Sequence, residues 1–218
     1  MIEAVIFDVD GTLVDSVDMH AETWERAFAR FGKNIGFHAL RSQIGKGGDQ
    51  LMPEFLDEAE LKAFGEDLEK TRGEIFQEEY LHRVRGFPGA ADLLSEIRKR
   101  GRRIALASSA KADELEIYKK AAGVEGLTDV ETSSDDAEKS KPHPDIFQAA
   151  LKKLKLEPDK VVVIGDTPYD ADAARKAGIA SIGVLCGGFK DEDIRKGGAG
   201  RIYRDPQELL ACIDEWLV

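Results

Sequence analysis

The sequence predicts an α/β fold in which helices cover both faces of a doubly wound parallel sheet, with a second, helical domain inserted into it. Short apolar segments alternate with helical segments, and one interval between apolar segments is far longer than the others. The apolar segments are continuous and mostly β-branched, which is typical of parallel strands buried on both faces. The predicted strands are Ala4–Phe7, Arg103–Ala107, Asp129–Glu131, Val161–Ile164 and Ala180–Val184.

Helical segments separate the later strands, and several of them end at a glycine. The glycines are Gly101, Gly123 and Gly178. Glycine readily takes the left-handed conformation that ends many helices. The alternation favours right-handed crossovers in one parallel sheet, which binds ligands beyond the carboxyl ends of its strands. The predicted helices are Ala90–Arg100, Asp113–Ala122, Asp145–Leu154 and Tyr169–Ala177.

The long interval follows the first strand. One strand–helix–strand step takes roughly 30 residues, whereas the second predicted strand begins only at Arg103. The surplus is helical, and the segment Gly86–Gly89 at its end suits a hinge. We therefore predict a core domain of residues 1–15 and 86–218 and a helical domain of residues 16–85. Its predicted helices are Val17–Phe31, Leu40–Gln43, Asp49–Phe55 and Glu58–His82.

The composition excludes several classes of function. Of the 218 residues 42% are hydrophobic, enough for a sizeable core, and 31 Lys and Arg against 42 Asp and Glu give a net charge of −11. General nucleic-acid binding is disfavoured, because cations are needed to neutralise phosphates. A small anion remains possible, since a local pocket can oppose the global charge.

Membrane and secretion signals are absent from the sequence. No apolar run approaches the ~20 residues of a membrane span, and no basic segment precedes the apolar start of the chain. Cys186 and Cys212 have neither metal-ligand spacing nor a disulfide framework. We expect a cytoplasmic protein with no membrane or nucleic-acid partner and, without a heptad or edge-pairing strand, a monomer.

A pair of carboxylates follows the first strand. Asp8 and Asp10 can point into one cavity, and Gly11 permits a sharp turn there. One carboxylate could act as a nucleophile and the other as an acid and base. An Asp-Gly turn that merely ends the strand explains the same residues equally well.

Two further polar segments follow later strands. Ser108 and Ser109 come directly after a strand and before a helix, where a hydroxyl can bind an anion or simply cap the helix. Lys141 lies between Ser140 and Pro142, more constrained than a typical surface lysine. Each of these features, taken alone, has an ordinary structural explanation.

The fourth polar segment contains two acids after Val161–Ile164. Asp166 ends the strand and Asp170 follows one helical turn later, a spacing that suits Mg²⁺. A helix start with Pro168 at its first position and acids at the positive end of its dipole is an equal alternative. However, chance placement of all four polar segments at strand ends is improbable, so together they predict a catalytic site.

In these segments the chain resembles the haloacid dehalogenase superfamily of phosphohydrolases, in the subgroup with a helical cap after the first motif. Asp8-Val-Asp10-Gly-Thr is similar to the Asp-x-Asp-x-Thr signature of that superfamily. The resemblance implies a Rossmann-like core, a cap at residues 16–85 and a Mg²⁺ cofactor. It also implies that Asp8 is the nucleophile, that Asp10 is the acid and base, and that a small phosphorylated metabolite is the substrate.

The same resemblance implies roles for the other motif residues. Ser108 and Lys141 would hold the phosphoryl oxygens, and Asp166 would bind Mg²⁺ with Asp8 and the carbonyl of Asp10. Asp170 would complete the metal site, directly or by orienting a metal-bound water. The dehalogenases of the superfamily lack the second aspartate. The presence of Asp10 in this chain therefore argues against dehalogenation as its activity.

Within the capped subgroup, the chain is most similar to β-phosphoglucomutases and phosphoglycolate phosphatases. His20 matches a mutase residue that positions the acid and base. Gly45 and Lys46 lie in the expected substrate loop of the cap, and Ser109 and Lys111 are expected to line the pocket from the core.

Three functions follow from these residues. A Mg²⁺-dependent phosphatase acting on a sugar phosphate or phosphoglycolate is the prediction, because Lys46 is the only cation in the loop where the mutase carries an arginine. The alternatives are a phosphosugar mutase and a non-catalytic binding protein on the same fold. Lys46 in turn has an alternative explanation, as a solvated lysine in a flexible helix connection.

Overall fold

A six-stranded parallel sheet forms the centre of the protein, in the order β5-β4-β1-β6-β7-β8. The structure is a computed structural model that describes residues 1–218. The sheet and its flanking helices confirm the predicted α/β fold class. The six strands are β1 (Ala4–Phe7), β4 (Arg103–Ala107), β5 (Val130–Thr132), β6 (Val161–Gly165), β7 (Ala180–Val184) and β8 (Arg201–Tyr203).

Alternate residues of the strands enter two separate cores. Val5 and Phe7 of β1 belong to a cluster on one face of the sheet, whereas Ala4 and Ile6 belong to a second cluster on the other face. Successive side chains of a strand point to opposite faces, so a strand covered on both faces must be apolar throughout. This requirement explains the continuous apolar runs in the sequence.

Helices cover both faces of the sheet. Four pack on the Val5 face and contribute to the larger cluster: α5 (Ala90–Lys99), α6 (Ala112–Ala122), α10 (Pro206–Ala211) and α11 (Ile213–Trp216). Two pack on the Ile6 face: α7 (Asp145–Leu154) and α8 (Pro168–Lys176). The short helix α9 (Asp191–Gly197) packs beside α8 near the end of the sheet.

The long interval is a helical insertion between two short strands. β2 (Val14–Asp15) pairs antiparallel with β3 (Arg85–Gly86), which brings the two ends of the insertion together. The helical insertion consists of α1 (Val17–Arg30), α2 (Phe37–Arg41), α3 (Gly48–Leu51) and α4 (Glu58–Glu79), with a 3₁₀ turn after α3 and another after α4. The division into two domains at residues 15/16 and 85/86 stays a prediction.

The structure differs from the predicted elements mainly near the carboxyl terminus. Strand β8 and helices α9 to α11 were not predicted, and β5 lies one residue later than expected. β8 is a three-residue edge strand that begins with an exposed arginine. Because such a strand buries little, it carries no apolar run for the sequence to reveal. Every helix of the chain is too short or too polar to cross a membrane.

Two glycine-to-alanine substitutions test the packing at the base of the insertion. A Cβ on Gly86 would lie 2.6 Å from Ala122 Cα and 2.7 Å from Ala121 O, both backbone atoms that no rotamer change can move. We expect Gly86→Ala to lower the free energy of unfolding by about 1–3 kcal/mol. Urea unfolding of the metal-free protein measures this effect.

Gly73→Ala is the matched control. Gly73 lies inside α4, and nothing lies within 4 Å of the position that its Cβ would take. Alanine should therefore raise the free energy of unfolding by about 0.5–1 kcal/mol, through higher helix propensity and a less flexible unfolded chain. Equal effects of the two substitutions would contradict the packing argument.

Candidate active site

The register of the sheet brings the polar segments together. Phe7, the last residue of β1, pairs with Leu106 of β4 on one side and with Ile164 of β6 on the other. The residues that follow these strands therefore emerge at one edge of the sheet. Asp8, Ser108 and Asp166 occupy that edge and are all buried.

Three carboxylates form a compact buried cluster. One oxygen atom from each of Asp8, Asp166 and Asp170 lies within 4.8 Å of the others. Asp166 Oδ1 accepts a hydrogen bond from Thr12 Oγ1 at 3.3 Å, whereas Asp166 Oδ2 is buried without any hydrogen-bond partner. Unpartnered carboxylate oxygens in such a cluster are the ligands that a hard divalent cation requires, so these residues fit a metal ion.

Two glycines leave room for the unpartnered oxygen. A Cβ on Gly11 would lie 2.2 Å from Asp166 Oδ2, and one on Gly187 would lie 1.7 Å from it. Gly11 also has a φ of 77°, which disfavours any other residue. The Asp-Gly turn after β1 therefore both bends the chain and clears the space beside Asp166.

Lys141 connects two of the acids. Its side chain is only 1% exposed, and its Nζ donates to Asp8 Oδ1 at 2.5 Å and forms an ion pair with Asp170 Oδ1 at 2.8 Å. The other Asp170 oxygen accepts hydrogen bonds from Thr167 N and Thr167 Oγ1, at the amino end of α8. Lys141 is thus a buried cation between the predicted nucleophile and the acid at the start of α8.

Burial and mutual repulsion raise the pKa values of Asp8 and Asp166. For Asp8, burial is the largest cause; Lys141 opposes it and Asp170 adds to it, and the pKa rises to about 7. Burial, followed by the charge of Asp170, also raises the pKa of Asp166. Burial opposes the charge of Lys141, but Asp170 and Asp8 outweigh it and raise the pKa of the lysine. The lysine therefore stays charged, while the raised pKa values of Asp8 and Asp166 favour protonated carboxyls until a cation binds.

Asp10 has a different environment from Asp8. Its Oδ1 accepts hydrogen bonds from Ser16 Oγ at 2.6 Å and from His20 Nε2 at 2.9 Å. Although burial raises the pKa of Asp10, the charge and hydrogen bond of His20 and the hydrogen bond of Ser16 lower it below its usual value. Both contacts fall on Oδ1, so Oδ2 is the oxygen that is available to reacting atoms.

His20 is itself fixed by aromatic residues. Its ring stacks on Phe76 of α4, with the centroids 4.2 Å apart, and its Nε2 lies 3.3 Å from Tyr118 Oη. Among the predicted substrate-binding residues it is therefore the one that contacts Asp10 directly. This contact joins the first helix of the insertion to the acid pair.

A cavity of about 140 Å³ lies between the core and the insertion. It is lined by the predicted residues Asp8, Asp10, His20, Gly45, Lys46 and Ser109. Ligand pockets for drug-sized molecules are larger, about 300–1,000 Å³, so this closed site suits a small molecule. The hydrogen bond from Ser140 N to Asp49 Oδ2, at 3.1 Å, joins the core to the insertion at this cavity. A second one, from Tyr169 Oη to Ser42 O at 2.6 Å, joins them outside it.

Three predicted site residues differ from the others, because they either do not line this cavity or have a side chain that is already paired. Ser108 is fully buried, and its Oγ accepts a hydrogen bond from Ala110 N at 3.1 Å. Lys111 is exposed and lines a neighbouring cavity rather than this one. Lys46 lines the site, but its Nζ is held by Glu54 at 2.7 Å and by Gln43 at 2.6 Å. Its charge is thus already paired.

Four further charged residues line the cavity. Asp49 ends the predicted substrate loop, whereas the sequence did not reveal Glu69, Arg72 and Glu114. Arg72 lies at helical spacing between Leu68 and Phe76, two buried residues of α4. A charged residue on the buried stripe of a helix is a signal that could have identified it. Asp49, Glu69 and Glu114 carry no comparable pattern.

A carboxylate pair at a strand end, a buried lysine and a carboxylate cluster on a parallel sheet are consistent with a class of hydrolases. Residues 5–184 match the family described as haloacid dehalogenase-like hydrolase. The chain belongs to that family, and the resemblance of its motifs is confirmed. The protein is accordingly an enzyme of the hydrolase type.

Similar proteins include hydrolases from bacteria. A phosphorylated carbohydrates phosphatase of Thermotoga maritima is 28% identical over 99% of this chain and 100% of its own. The structure of a hydrolase from Pseudomonas syringae matches with a TM-score of 0.91, at 29% identity, and covers 99% of both chains.

A plant relative is much longer than this chain. The chloroplastic protein SUPPRESSOR OF QUENCHING 1 of Arabidopsis thaliana is 33% identical over 187 residues. The match covers 84% of this chain but only 18% of the plant protein. The similarity therefore concerns one part of that protein.

We expect Mg²⁺ to stabilise the protein through the carboxylate cluster. A ligand that binds only the folded state at 100 times its Kd stabilises it by about 2.7 kcal/mol, so saturating Mg²⁺ should raise the melting temperature by several degrees. Asp166→Asn keeps the Oδ1 acceptor for Thr12 and should abolish this increase. Differential scanning calorimetry with Mg²⁺ and with EDTA tests both expectations. An Asp166→Asn protein that Mg²⁺ still stabilises fully would contradict the metal site.

The raised pKa of Asp8 predicts that metal binding depends on pH. Below about pH 7 the metal-free carboxyl holds a proton that Mg²⁺ must displace. The Kd for Mg²⁺ should therefore be higher at pH 6 than at pH 8, by up to about tenfold per pH unit for each displaced proton. Isothermal titration calorimetry in two buffers of different ionisation enthalpy measures the affinity and the protons released. A Kd that is independent of pH would contradict the prediction.

Proposed function

We propose that the protein is a Mg²⁺-dependent phosphatase that hydrolyses a small phosphorylated metabolite through an aspartyl phosphate on Asp8. The observation that supports this most directly is the contrast between the two aspartates after β1. Asp8 faces a charged lysine and the metal-binding carboxylates, whereas Asp10 is held through one oxygen by Ser16 and His20. With a cation bound, Asp8 would be ionised and able to attack phosphorus, and the free Oδ2 of Asp10 could exchange a proton with a reacting oxygen.

In the first step, a carboxylate oxygen of Asp8 attacks phosphorus, and the bond from phosphorus to the alcohol oxygen breaks. The negative charge of the bound phosphate ester opposes the ionisation of Asp10 and offsets the effect of His20 and Ser16 on its pKa. The proton that Asp10 then carries lies on Oδ2, because Oδ1 already accepts two hydrogen bonds, and it passes to the leaving oxygen. Lys141 Nζ and the hydroxyl proton of Ser108 hold the phosphoryl oxygens. The products are the alcohol and the phosphorylated Asp8.

In the second step, water attacks the phosphorus of the aspartyl phosphate. Asp10 takes a proton from this water through the oxygen that donated one before, and the bond between phosphorus and Asp8 breaks. Inorganic phosphate leaves, and both carboxyls return to their starting states. His20 and Ser16 keep the Asp10 carboxyl in one orientation through both steps.

The resident cation would be held by Asp8, Asp166 and the backbone carbonyl of Asp10, with Asp170 beside them. Mg²⁺ offsets the repulsion between the Asp8 carboxylate and the phosphate. Lys141 supplies a fixed positive charge on the other side of Asp8. Removal of the metal should therefore weaken phosphate binding and catalysis together.

The substrate class follows from the cavity and from the named relatives. The Thermotoga maritima relative is a phosphatase of phosphorylated carbohydrates, and a cavity of about 140 Å³ suits a molecule of metabolite size. Movement of the insertion about the β2–β3 pair would admit substrate, and closure would exclude water. Gly45 and Ser109 would then contact the substrate from opposite sides.

A phosphosugar mutase is the second candidate. The hydrogen bond from His20 to Asp10 favours it, because this contact belongs to the mutase-like pattern. The loop from Gly45 to Asp49, in contrast, offers a second phosphate no free cation, since Lys46 is bound to Glu54. The product distinguishes the two reactions: free phosphate or an isomeric sugar phosphate.

We expect Asp8→Asn to abolish phosphate release. The substitution keeps the shape of the side chain but removes the nucleophile, so kcat should fall by at least about 1,000-fold on every substrate. Asp159→Asn is the control, because Asp159 is exposed and precedes β6 at the opposite end of the sheet. The assay measures phosphate from sugar phosphates, phosphoglycolate and nucleoside monophosphates, with Mg²⁺ and with EDTA.

The results separate the candidate functions. Phosphate release that needs both Mg²⁺ and Asp8 supports the phosphatase. Conversion of β-glucose 1-phosphate to an isomer, without net phosphate release, would indicate the mutase. If the protein neither releases phosphate from any substrate nor isomerises β-glucose 1-phosphate, the result would favour a binding protein.

His20 should act on catalysis more than on substrate affinity. His20→Asn removes the imidazole that orients Asp10, so kcat should fall by about 10- to 100-fold while KM changes by less than about threefold. His82→Asn is the control, because His82 is exposed in the turn after α4. Steady-state kinetics on the best substrate measure both constants. A rise in KM without a fall in kcat would assign His20 to substrate binding instead.

A further inference from the structure

The end of the cavity that faces the insertion carries charges which the phosphatase chemistry does not use. Beyond Asp8 and Asp10, its charged lining residues are Asp49, Glu69 and Glu114 against Lys46 and Arg72. We call these five residues the remote wall. Because Lys46 is paired with Glu54, Arg72 is the one cation of the wall without an acidic partner.

Glu114 is a buried carboxylate without a partner. Its residue is only 5% exposed, and its carboxylate accepts no hydrogen bond and forms no salt bridge within the protein. The residue lines this cavity and the neighbouring one, so its carboxylate oxygens are open to a ligand or to solvent. A hydrogen-bond donor in the cavity can therefore satisfy a carboxylate that no group of the protein does.

Arg72 is likewise unsatisfied. Its guanidinium lies over the ring of Trp24, 5.5 Å from the centroid, and its Nε and Nη1 are buried without an acceptor. Trp24 and His20 lie one turn apart on α1, as Arg72 and Phe76 do on α4. The stacking fixes the guanidinium at the cavity, although no protein acceptor satisfies these two N–H groups.

The remaining two acids of the remote wall are Glu69, whose carboxylate has no partner in the protein, and Asp49, which is charged. Glu69 forms no hydrogen bond or ion pair, and a Cβ on Gly48 would lie 2.4 Å from its Oε1, so the bare glycine leaves room for the carboxylate. Burial raises the pKa of Asp49, but hydrogen bonds from Gln50 and Ser140 lower it below its usual value. Asp49 is thus an anion at neutral pH.

A hydroxyl group satisfies this arrangement better than an anion does. A hydroxyl can accept a hydrogen bond from Arg72 and donate one to Glu114, whereas a phosphate or carboxylate can only accept. An anion would find one guanidinium but would face the buried carboxylate of Glu114 and, closer to solvent, the exposed carboxylates of Asp49 and Glu69. These like charges disfavour it.

From these contacts we infer that the remote wall binds the hydroxyl groups of an uncharged carbon chain and discriminates against phosphate esters that carry a second anionic group. The inference rests on the proposed phosphatase function and narrows it to monophosphates of neutral polyhydroxy compounds. Phosphoglycolate, sugar bisphosphates and phosphorylated sugar acids are then poor substrates. Arg72 and Glu114 are the residues that determine this specificity.

Two pairs of substrates isolate the second charge. Sorbitol 6-phosphate and 6-phosphogluconate have the same chain length and differ in a terminal hydroxymethyl or carboxylate group. The shorter pair, 2-hydroxyethyl phosphate and phosphoglycolate, differs in the same way. We expect kcat/KM to be at least about tenfold higher for the neutral member of each pair, equivalent to about 1.4 kcal/mol.

The variant Glu114→Gln tests the residue that carries the argument. It keeps the shape but removes the negative charge, so the preference for sorbitol 6-phosphate over 6-phosphogluconate should fall by about tenfold. Glu116→Gln is the matched control, because Glu116 lies two residues away on α6 but points outward and pairs with Lys119. It should leave the preference unchanged. Melting temperatures with Mg²⁺ verify that both variants are folded.

Hydrolysis of p-nitrophenyl phosphate separates this inference from the function on which it rests. If no phosphate ester is hydrolysed in the presence of Mg²⁺, the proposed function itself fails. If p-nitrophenyl phosphate is hydrolysed but the anionic member of each pair reacts equally well or better, the inference alone is overturned, and Arg72 is an anion receptor. A preference that Glu114→Gln does not reduce would also overturn it.

Discussion

The crowding of like charges at the end of the parallel sheet is the constraint on which the rest of the site depends. Parallel register directs the residues after β1 and β6 to the same edge, so Asp8 and Asp166 meet in the interior, with Asp170 beside them. Buried carboxylates repel one another and resist ionisation. Lys141 offsets part of this repulsion, and the unpartnered oxygen of Asp166 leaves the remainder to a cation. The same crowding that disfavours the metal-free site thus suits it to a cation.

The helical insertion completes this site instead of merely covering it. His20 on α1 holds Asp10, and its ring stacks on Phe76 of α4, while Trp24 and Arg72 form a second layer one turn away. Two antiparallel helices therefore connect Asp10 to the far end of the cavity. Displacement of α4 relative to α1 would disturb both ends together.

The two ends of the cavity have opposite requirements. At the phosphate end a buried lysine and the proposed cation favour an anion, although the chain as a whole has a net charge of −11. At the remote end the carboxylates outnumber the free cation, and they favour groups that donate hydrogen bonds. A site with this division of charge suits a molecule that is anionic at one end and neutral at the other. Net charge alone describes neither end.

The sequence by itself determined the sheet strands other than β8, the position of the insertion and the motif residues Asp8, Asp10, Lys141 and Asp166. These depend on local rules: buried parallel strands are apolar throughout, and their carboxyl ends bear the functional groups. Only the tertiary structure decided that Lys46 is neutralised by Glu54 and that Arg72 and Glu114 face one cavity from α4 and α6. Residues far apart in the chain meet there through helix packing, which leaves no pattern in either segment. The edge strand β8 was missed for a related reason, since it buries too little to need an apolar sequence.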